Sequence, residues 1–255
     1  MKQKLDRRSF FKFSGILAGG VLASSGAISN LKAQAHHHTH SENTDTSTSN
    51  AQNLNSQANQ SCQKQQRGRM FFTNDLEFNT LKAATERIYP QDESGEGAIL
   101  LGVPYFIDNQ LAGAYGFNAR EYMQGPFQEG KAEQGYQTPM NRREIFLLGL
   151  SALESESQKR HKQSFFQIAP ASQDAILKDC EANKIAIEGI SSKYFFTLLR
   201  DLTIAGVLSD PIYQGNDGQK GWKMMHYPGG QMSYLAYIES DEFVELPPMS
   251  LADMQ

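Results

Sequence analysis

The sequence predicts an all-α fold, a single irregular helical domain that ends in a long ordered loop region. Apolar residues recur near a 3.6-residue period in several segments, and helix start and stop signals bracket those segments. No stretch alternates polar and apolar residues between the turn signals of a hairpin. The domain is expected over residues 71–255, after a signal peptide at 1–35 and a disordered linker at 36–70.

The first helix is expected shortly after Phe71, where Thr73 or Asn74 can cap it, and it should end before Pro90. Its apolar residues follow the helical period: Leu76, Phe78, Leu81, Ala84 and Ile88. A polar loop with two glycines, residues 91–97, separates it from the next element.

The second helix is expected from Ala98 to about Leu111. Pro104 forces either a fresh start or a kink, because proline lacks an amide hydrogen, and Gly113 is suited to the C-terminal cap. A third helix is expected to start at Thr138-Pro139 and to run through Arg160, since proline is favoured in the first helical turn.

Two further helices are expected. Pro170 starts a short one that reaches about Ala182. Ser191 or Ser192 then starts a strongly apolar segment that continues to Gly206. Because this last helix is apolar on most sides, it should be the central helix of the domain.

The chain changes character beyond Gly206, where glycine, proline and aromatic residues become dense. Such composition is typical of an ordered irregular loop, a kind of segment that proteins often use for contacts. Four side chains are the candidate partner-binding residues: Tyr213, Trp222, Met224 and Tyr227. Aromatic residues and methionine suit an interface, but the same side chains could instead fold the loop onto the helices, and both interpretations stay open.

The first residues of the chain are typical of an export signal of the twin-arginine type. Arg7 and Arg8 are followed by Phe10 and Lys12, then by a mild apolar run that contains several glycines. Residues 33–35, Ala-Gln-Ala, form a small-x-small cleavage site. The run is shorter than the roughly 20 apolar residues that cross a bilayer, so a membrane anchor is not favoured. The predicted location is the periplasm, and the predicted export partner is the twin-arginine translocase.

The linker is rich in Ser, Thr, Asn, Gln and His and cannot bury enough surface to order itself. Its imidazoles at His36, His37, His38 and His40 are weak candidates for a metal site, because neutral imidazoles on one tract can converge on a transition metal. The alternative is a solvated low-complexity tail or a cloning remnant. No carboxylate or thiol at ligand spacing completes a closed site.

Charge argues against two classes of partner. Cleavage after Ala35 would leave 18 basic and 27 acidic residues, a net charge of about −9. Nucleic acid and anionic membranes both bind proteins through clustered Lys and Arg, so neither is expected as a partner. No later apolar run approaches spanning length, so membrane association is expected only through partners.

The two cysteines, Cys62 and Cys180, stand in what would be an oxidising compartment and could pair. A buried, inert Cys180 and an incidental or intermolecular Cys62 are favoured over a bridge. There is no Cys-x-x-Cys-His for covalent haem and no cysteine set for an iron–sulfur cluster, so no cofactor is predicted in this chain.

No catalytic residue is predicted. Asp92, Glu93 and Glu96 cluster in a hydrophilic loop, where nothing apolar would raise a carboxyl pKa. His161 and His226 have no partner at triad or ligand spacing. Nucleotide-binding glycine loops and the Gly-x-Ser-x-Gly elbow are not found in the sequence.

Two motifs carry a resemblance to a known family. The first comprises Arg87 to Asp92, Gly95 to Gly97, Gly102 to Asp108 and Gln110 to Gly113. The second comprises Ser209 to Tyr213, Gly215-Asn216, Gly221 to Lys223 and Tyr227 to Gly229. In this order they resemble the gluconate 2-dehydrogenase subunit 3 family, over about Phe71 to Gly230.

The resemblance implies a role rather than a reaction. Members of this family accompany a large FAD-dependent oxidoreductase and commonly a multihaem c-type cytochrome, so FAD and haem c would belong to partners. The small subunit carries the export signal that the flavoprotein lacks. This implies a non-catalytic subunit that escorts a sugar, sugar-acid or polyol dehydrogenase to the periplasm. The substrate, the presence of a cytochrome and the number of copies stay open.

Two alternative functions, from other functional classes, remain open. The chain could be an enzyme in its own right, with Asp92, Glu93 or His226 as acid or base. It could instead bind or deliver a metal through the tract from His36 to His40.

Overall fold

The computed structural model describes residues 67–128 and 130–254, and this part of the chain is mostly helical. Its helices are α1 (Asp75–Ile88), α2 (Val103–Ala112), α3 (Arg142–His161), α4 (Pro170–Glu181), α5 (Ser192–Leu208) and α6 (Lys220–Met224). Strands β1 (Ala186–Ile187) and β2 (Ile190–Ser191) form a small sheet. Several predictions lie outside the described residues: the export signal with Arg7, Arg8, Phe10 and Lys12, the imidazoles of His36, His37, His38 and His40, and Cys62.

Three predicted helix starts are confirmed, and each has a local cause. Asn74 caps α1 by accepting a hydrogen bond from the Leu76 amide. Pro170 is the first residue of α4, where its missing amide hydrogen costs nothing. Ser191 caps α5 through a bond from the Tyr194 amide.

Two predicted starts were wrong. The second helix begins at Val103 rather than Ala98. Of the two outcomes expected at Pro104, a kink or a fresh start, the fresh start is confirmed, and it follows Gly102 in a left-handed conformation at φ 76°. The third begins at Arg142 and not at Thr138-Pro139. Asn141 and Glu144 form a reciprocal capping box there, so the cap lies beyond the proline.

A hairpin that the sequence analysis did not predict joins α4 to α5. Ala186 pairs with Ser191 and Ile187 with Ile190, and Gly189 closes the turn at φ 75°. Each strand has two residues, which is too short to display an alternating pattern.

The predicted central position of the apolar helix is confirmed. Helix α5 contacts α1, α2, α3, α4 and α6. Its buried side chains include Phe195, Phe196, Leu199 and Leu202. Gly149 of α3 lets the two helices approach, since a Cβ there would overlap the ring of Phe195. Among the described helices, none is long and apolar enough to cross a bilayer.

The segment after α5 is ordered and largely irregular, with short helical pieces. It contains three 3-10 turns, at Pro211–Tyr213, Asp217–Gln219 and Leu251–Met254. The short helix α6 was not predicted and carries Gly221 and Trp222, which the sequence analysis placed in irregular loop.

A short strap precedes α1. The buried carboxylate of Asp108 accepts backbone hydrogen bonds from Met70, from Phe71 at 3.1 Å and from Phe72 at 2.7 Å. Arg67 pairs with Asp217 at 2.9 Å. Arg67 and Met70, which were assigned to the linker, are therefore bonded to the domain.

Candidate functional site

The two motifs quoted above, about a hundred residues apart in the chain, meet in the structure. We call residues 87–113 the first motif segment and 209–229 the second. The Asp217 amide donates to the Leu101 carbonyl at 3.1 Å. Lys220 Nζ pairs with Glu96 Oε1 at 2.7 Å. Packing on the central helix thus brings both segments to one place.

Glycines make this junction possible. A Cβ on Gly102 would press on the Gln214 carbonyl oxygen of the second segment, and its positive φ favours glycine as well. A Cβ on Gly95 would overlap the Met224 sulfur. Gly206 of α5 faces Val103 and Phe106 at similarly close range. The motif glycines therefore serve close approach between backbones and side chains.

The end of α5 is capped by side chains of the second motif segment. Trp222 Nε1 donates to the Leu208 carbonyl at 2.8 Å. Asn216, which is fully buried, donates from Nδ2 to the Ser209 carbonyl at 2.9 Å and accepts from the Gly221 amide at 2.6 Å. Carbonyls at a helix end lack partners within the helix, so the bonds to Leu208 and Ser209 satisfy groups that the helix leaves unpaired.

The four predicted partner-binding residues are not equally accessible. Tyr213 and Tyr227 are about half exposed, at 48% and 49%. Met224 is half-buried against the core. Trp222 is only 5% exposed and meets Tyr227 edge-on at 5.5 Å. Of the two roles left open for Trp222, burial supports internal packing, and its partner-binding role stays a prediction.

Exposed apolar side chains lie beside the backbone contacts between the two segments. We call them the junction surface: Ile99, Leu100, Ile212 and Tyr213. Leu100 precedes Leu101, whose carbonyl accepts the bond from Asp217, and Tyr213 precedes Gln214. The ordered backbone beneath these side chains would let them dock without large rearrangement.

Asp92 and His226, two of the candidate acids and bases, have structural partners. Asp92 accepts a hydrogen bond from the Ser94 amide at 2.7 Å and forms a backbone bridge with Gly95. Glu93 is exposed on the same turn. His226 Nδ1 lies 2.6 Å from Glu245 Oε1 on the surface.

Other titratable groups offer no metal site in the described part of the chain. His161 is exposed in the last turn of α3. No group of three or more His, Cys, Asp or Glu side chains within residues 67–128 and 130–254 could share a metal ion. The predicted burial of Cys180 is confirmed, and burial raises the pKa of its thiol to about 12, which suppresses the reactive thiolate.

Asp210 joins the C-terminal residues to the second motif segment. Its carboxylate accepts from the amides of Ile212 and Leu251, at 3.0 and 2.9 Å, and from the Ser250 hydroxyl at 2.8 Å. Burial alone would raise the pKa of Asp210, but these hydrogen bonds outweigh it and lower the pKa. The sequence analysis missed this role, although an Asp before Pro211 is a common turn starter.

A cleft of about 440 Å³ is lined by residues from 118–127 and 136–138 and by Tyr194 at the start of α5. Tyr136 and Tyr194 stack at its edge with ring centroids 4.1 Å apart. Arg142 lies over the Tyr115 ring at 4.1 Å and bonds Glu121 beside the cleft. Burial raises the pKa of both Tyr115 and Tyr194, so these phenols stay neutral and pack as apolar rings.

Comparison with known proteins gives one family. The family model described as gluconate 2-dehydrogenase subunit 3 matches residues 75–229, which is more than half of the chain and includes both motif segments in full. No curated protein and no solved structure matches the chain significantly.

Proposed function

Because the chain belongs to the gluconate 2-dehydrogenase subunit 3 family, we propose that it is the non-catalytic small subunit of a periplasmic FAD-dependent dehydrogenase. It binds the flavoprotein large subunit and escorts it through twin-arginine export. The complex oxidises a sugar, sugar acid or polyol. FAD is held by the large subunit, and haem c by a multihaem cytochrome subunit where one joins and links the complex to the membrane.

One observation carries this proposal: the stretch that matches the family contains the junction, where the two motif segments pack together beside exposed apolar side chains. Leu100 and Tyr213 have the highest exposed fractions in the junction surface, and tyrosine is common among residues that dominate binding energy. A subunit that docks on a larger protein needs such a surface on an ordered base.

The export step is supported by the leader. Arg7 and Arg8 precede a mild apolar run, as in signals read by the twin-arginine translocase, which carries folded proteins. A flavoprotein that binds its FAD in the cytoplasm must cross the membrane folded. A small subunit that binds the flavoprotein and carries this signal would direct the pair to the translocase.

The test is co-expression of the flavoprotein with the chain carrying Arg7→Lys and Arg8→Lys. We expect the flavoprotein to remain in the cytoplasm, bound to the variant, because the signal is impaired and the folded domain is unchanged. The measurements are the flavoprotein content of the periplasmic fraction and its co-purification with the chain.

The matched control is Lys2→Arg with Lys4→Arg, which keeps the leader's charge and its arginine pair. Export should then be normal. Normal periplasmic flavoprotein with the Arg7→Lys and Arg8→Lys chain would refute the escort role. Substrate turnover by the purified chain alone, abolished by Asp92→Asn, would replace the proposal with an enzyme.

A further inference from the structure

The residues after the family match form an exposed arm, which we define as residues 231–248. Every residue from 232 to 245 is exposed. Half of these positions carry large apolar side chains: Met232, Tyr234, Leu235, Tyr237, Ile238, Phe243 and Val244. Met232 is 82% exposed and Phe243 is 94% exposed. Such a concentration of exposed apolar surface is typical of an interaction site.

The arm is held at its base. Gly230 donates to the Met249 carbonyl at 2.8 Å, and the Met249 amide donates to the Pro228 carbonyl at 3.0 Å. Gln231 Nε2 bonds the carbonyls of Pro228 and Pro247. Beyond that base Asp210 fixes Ser250 and Leu251. Both ends of the arm are therefore tied to the second motif segment.

Within the arm the hydrogen bonds are local turns. The Tyr237 amide donates to the Tyr234 carbonyl, and the Ser240 amide donates to the Tyr237 carbonyl. The Glu242 amide donates to Ser240 Oγ. These bonds order the backbone of the arm while its apolar side chains face solvent. Binding therefore costs less conformational entropy, because part of the ordering is already present in the free subunit.

The negative charge of the arm indicates which kind of partner it would bind. From Met224 to Met254 the chain has no Lys or Arg, whereas it has acids at Glu239, Asp241, Glu242, Glu245 and Asp253. A second copy would bring two acidic arms together, and an anionic membrane would repel them. A protein groove with an apolar floor and a rim of Lys and Arg complements this surface.

We propose that the arm docks in such a basic-rimmed apolar groove on the large subunit of the dehydrogenase. The inference rests on the proposed function and adds a second attachment point, outside the stretch matched by the family. The apolar side chains supply affinity, and the acids orient the encounter.

The test titrates the purified flavoprotein with the full chain and with Leu235→Ser, Ile238→Ser, Phe243→Ser combined. We expect the dissociation constant to rise about 30-fold or more, as for the loss of a main binding anchor. The melting temperature of the free subunit should barely change, because these side chains are exposed.

The control removes two apolar side chains elsewhere that are mostly exposed, Phe117→Ser and Tyr122→Ser, and should bind nearly as the wild type does. A second variant, Glu239→Gln, Asp241→Asn and Glu242→Gln, should bind more weakly at low salt and lose much of the salt dependence.

The outcomes separate the two proposals. Wild-type binding that survives the Leu235, Ile238 and Phe243 changes would overturn the arm's role and leave the proposed function standing. A wild-type chain that does not bind the flavoprotein would overturn both. A concentration-dependent dimer of the wild type, lost in the triple serine variant by sedimentation, would assign the arm to a second copy instead.

Discussion

At the scale of single residues, Trp222 shows how one side chain can look like an interface anchor and serve the interior. Its ring is buried, and its Nε1 satisfies the carbonyl of Leu208 at the end of the central helix. Neighbouring Tyr213 and Tyr227 remain half exposed. Composition predicted the same partner-binding role for all three aromatic residues, because it does not show which side of a loop packs against the helices.

Trp222→Ala should lower the free energy of unfolding of the free subunit by about 3–5 kcal/mol, since it removes a buried aromatic ring. Trp222→Phe keeps most of the packing but leaves the Leu208 carbonyl without its donor, so a smaller loss of about 1–2 kcal/mol is expected. Urea unfolding measures both.

Tyr213→Ala is the control for Trp222, because it removes an exposed ring from the same region, and its effect on stability should stay within about 0.5 kcal/mol. An unchanged urea midpoint for Trp222→Ala would show that the ring does not support the fold, and would return it to the candidate docking residues.

At the scale of elements, Asp210 links the 3-10 turn Pro211–Tyr213 to the one at Leu251–Met254. The amides of Ile212 and Leu251 both donate to its carboxylate, and the pKa of Asp210 in the folded state is lowered. A lowered folded-state pKa means that the carboxylate stabilises the fold at pH above its unfolded pKa. That contribution is lost as the pH falls through the folded pKa.

Asp210→Asn should therefore be less stable than the wild type at neutral pH, and the difference should narrow as the solution becomes acidic. Urea midpoints measured across the acidic range test this. Asp241→Asn, a change at an exposed carboxylate of the arm, should follow the wild-type profile. A gap between Asp210→Asn and wild type that stays constant down to low pH would contradict the carboxylate's role.

Elements with local signals were predictable from the sequence, and those set by distant contacts were not. Asn74 and Pro170 fix the starts of α1 and α4 by themselves. The Asn141 and Glu144 pair was visible as a capping box, but Pro139 drew the predicted start upstream. Helix α6 depends on the Asn216 bond to the Gly221 amide and on packing against α5, which no local pattern reveals.

The same distinction applies to the candidate site. The two motif segments were recognised as patterns, and aromatic composition indicated a contact region. Their meeting through Lys220 and Glu96 required the tertiary structure. The arm was not predicted because its apolar residues have no helical period. Their exposure can be determined only from the tertiary structure.

At the scale of the whole molecule, the N-terminal strap ties the start of the domain to both motif segments. Asp108 of the first segment accepts the amides of Met70, Phe71 and Phe72, and Arg67 pairs with Asp217 of the second. The Arg67 guanidinium also lies 6.0 Å from the centre of the Tyr105 ring. The chain that carries the predicted export signal thus enters the domain at the junction proposed to bind the flavoprotein.

Asp108→Ala should lower the free energy of unfolding by on the order of 3 kcal/mol, because it leaves the buried Phe72 amide and the partly buried amides of Met70 and Phe71 without their acceptor. Asp108→Asn retains one acceptor oxygen and should cost less. Hydrogen exchange at the amides of Met70 to Phe72 should accelerate most in the Ala variant. Exchange that stays slow there, with stability unchanged, would show that the strap is held by the packing of Phe72 rather than by the carboxylate.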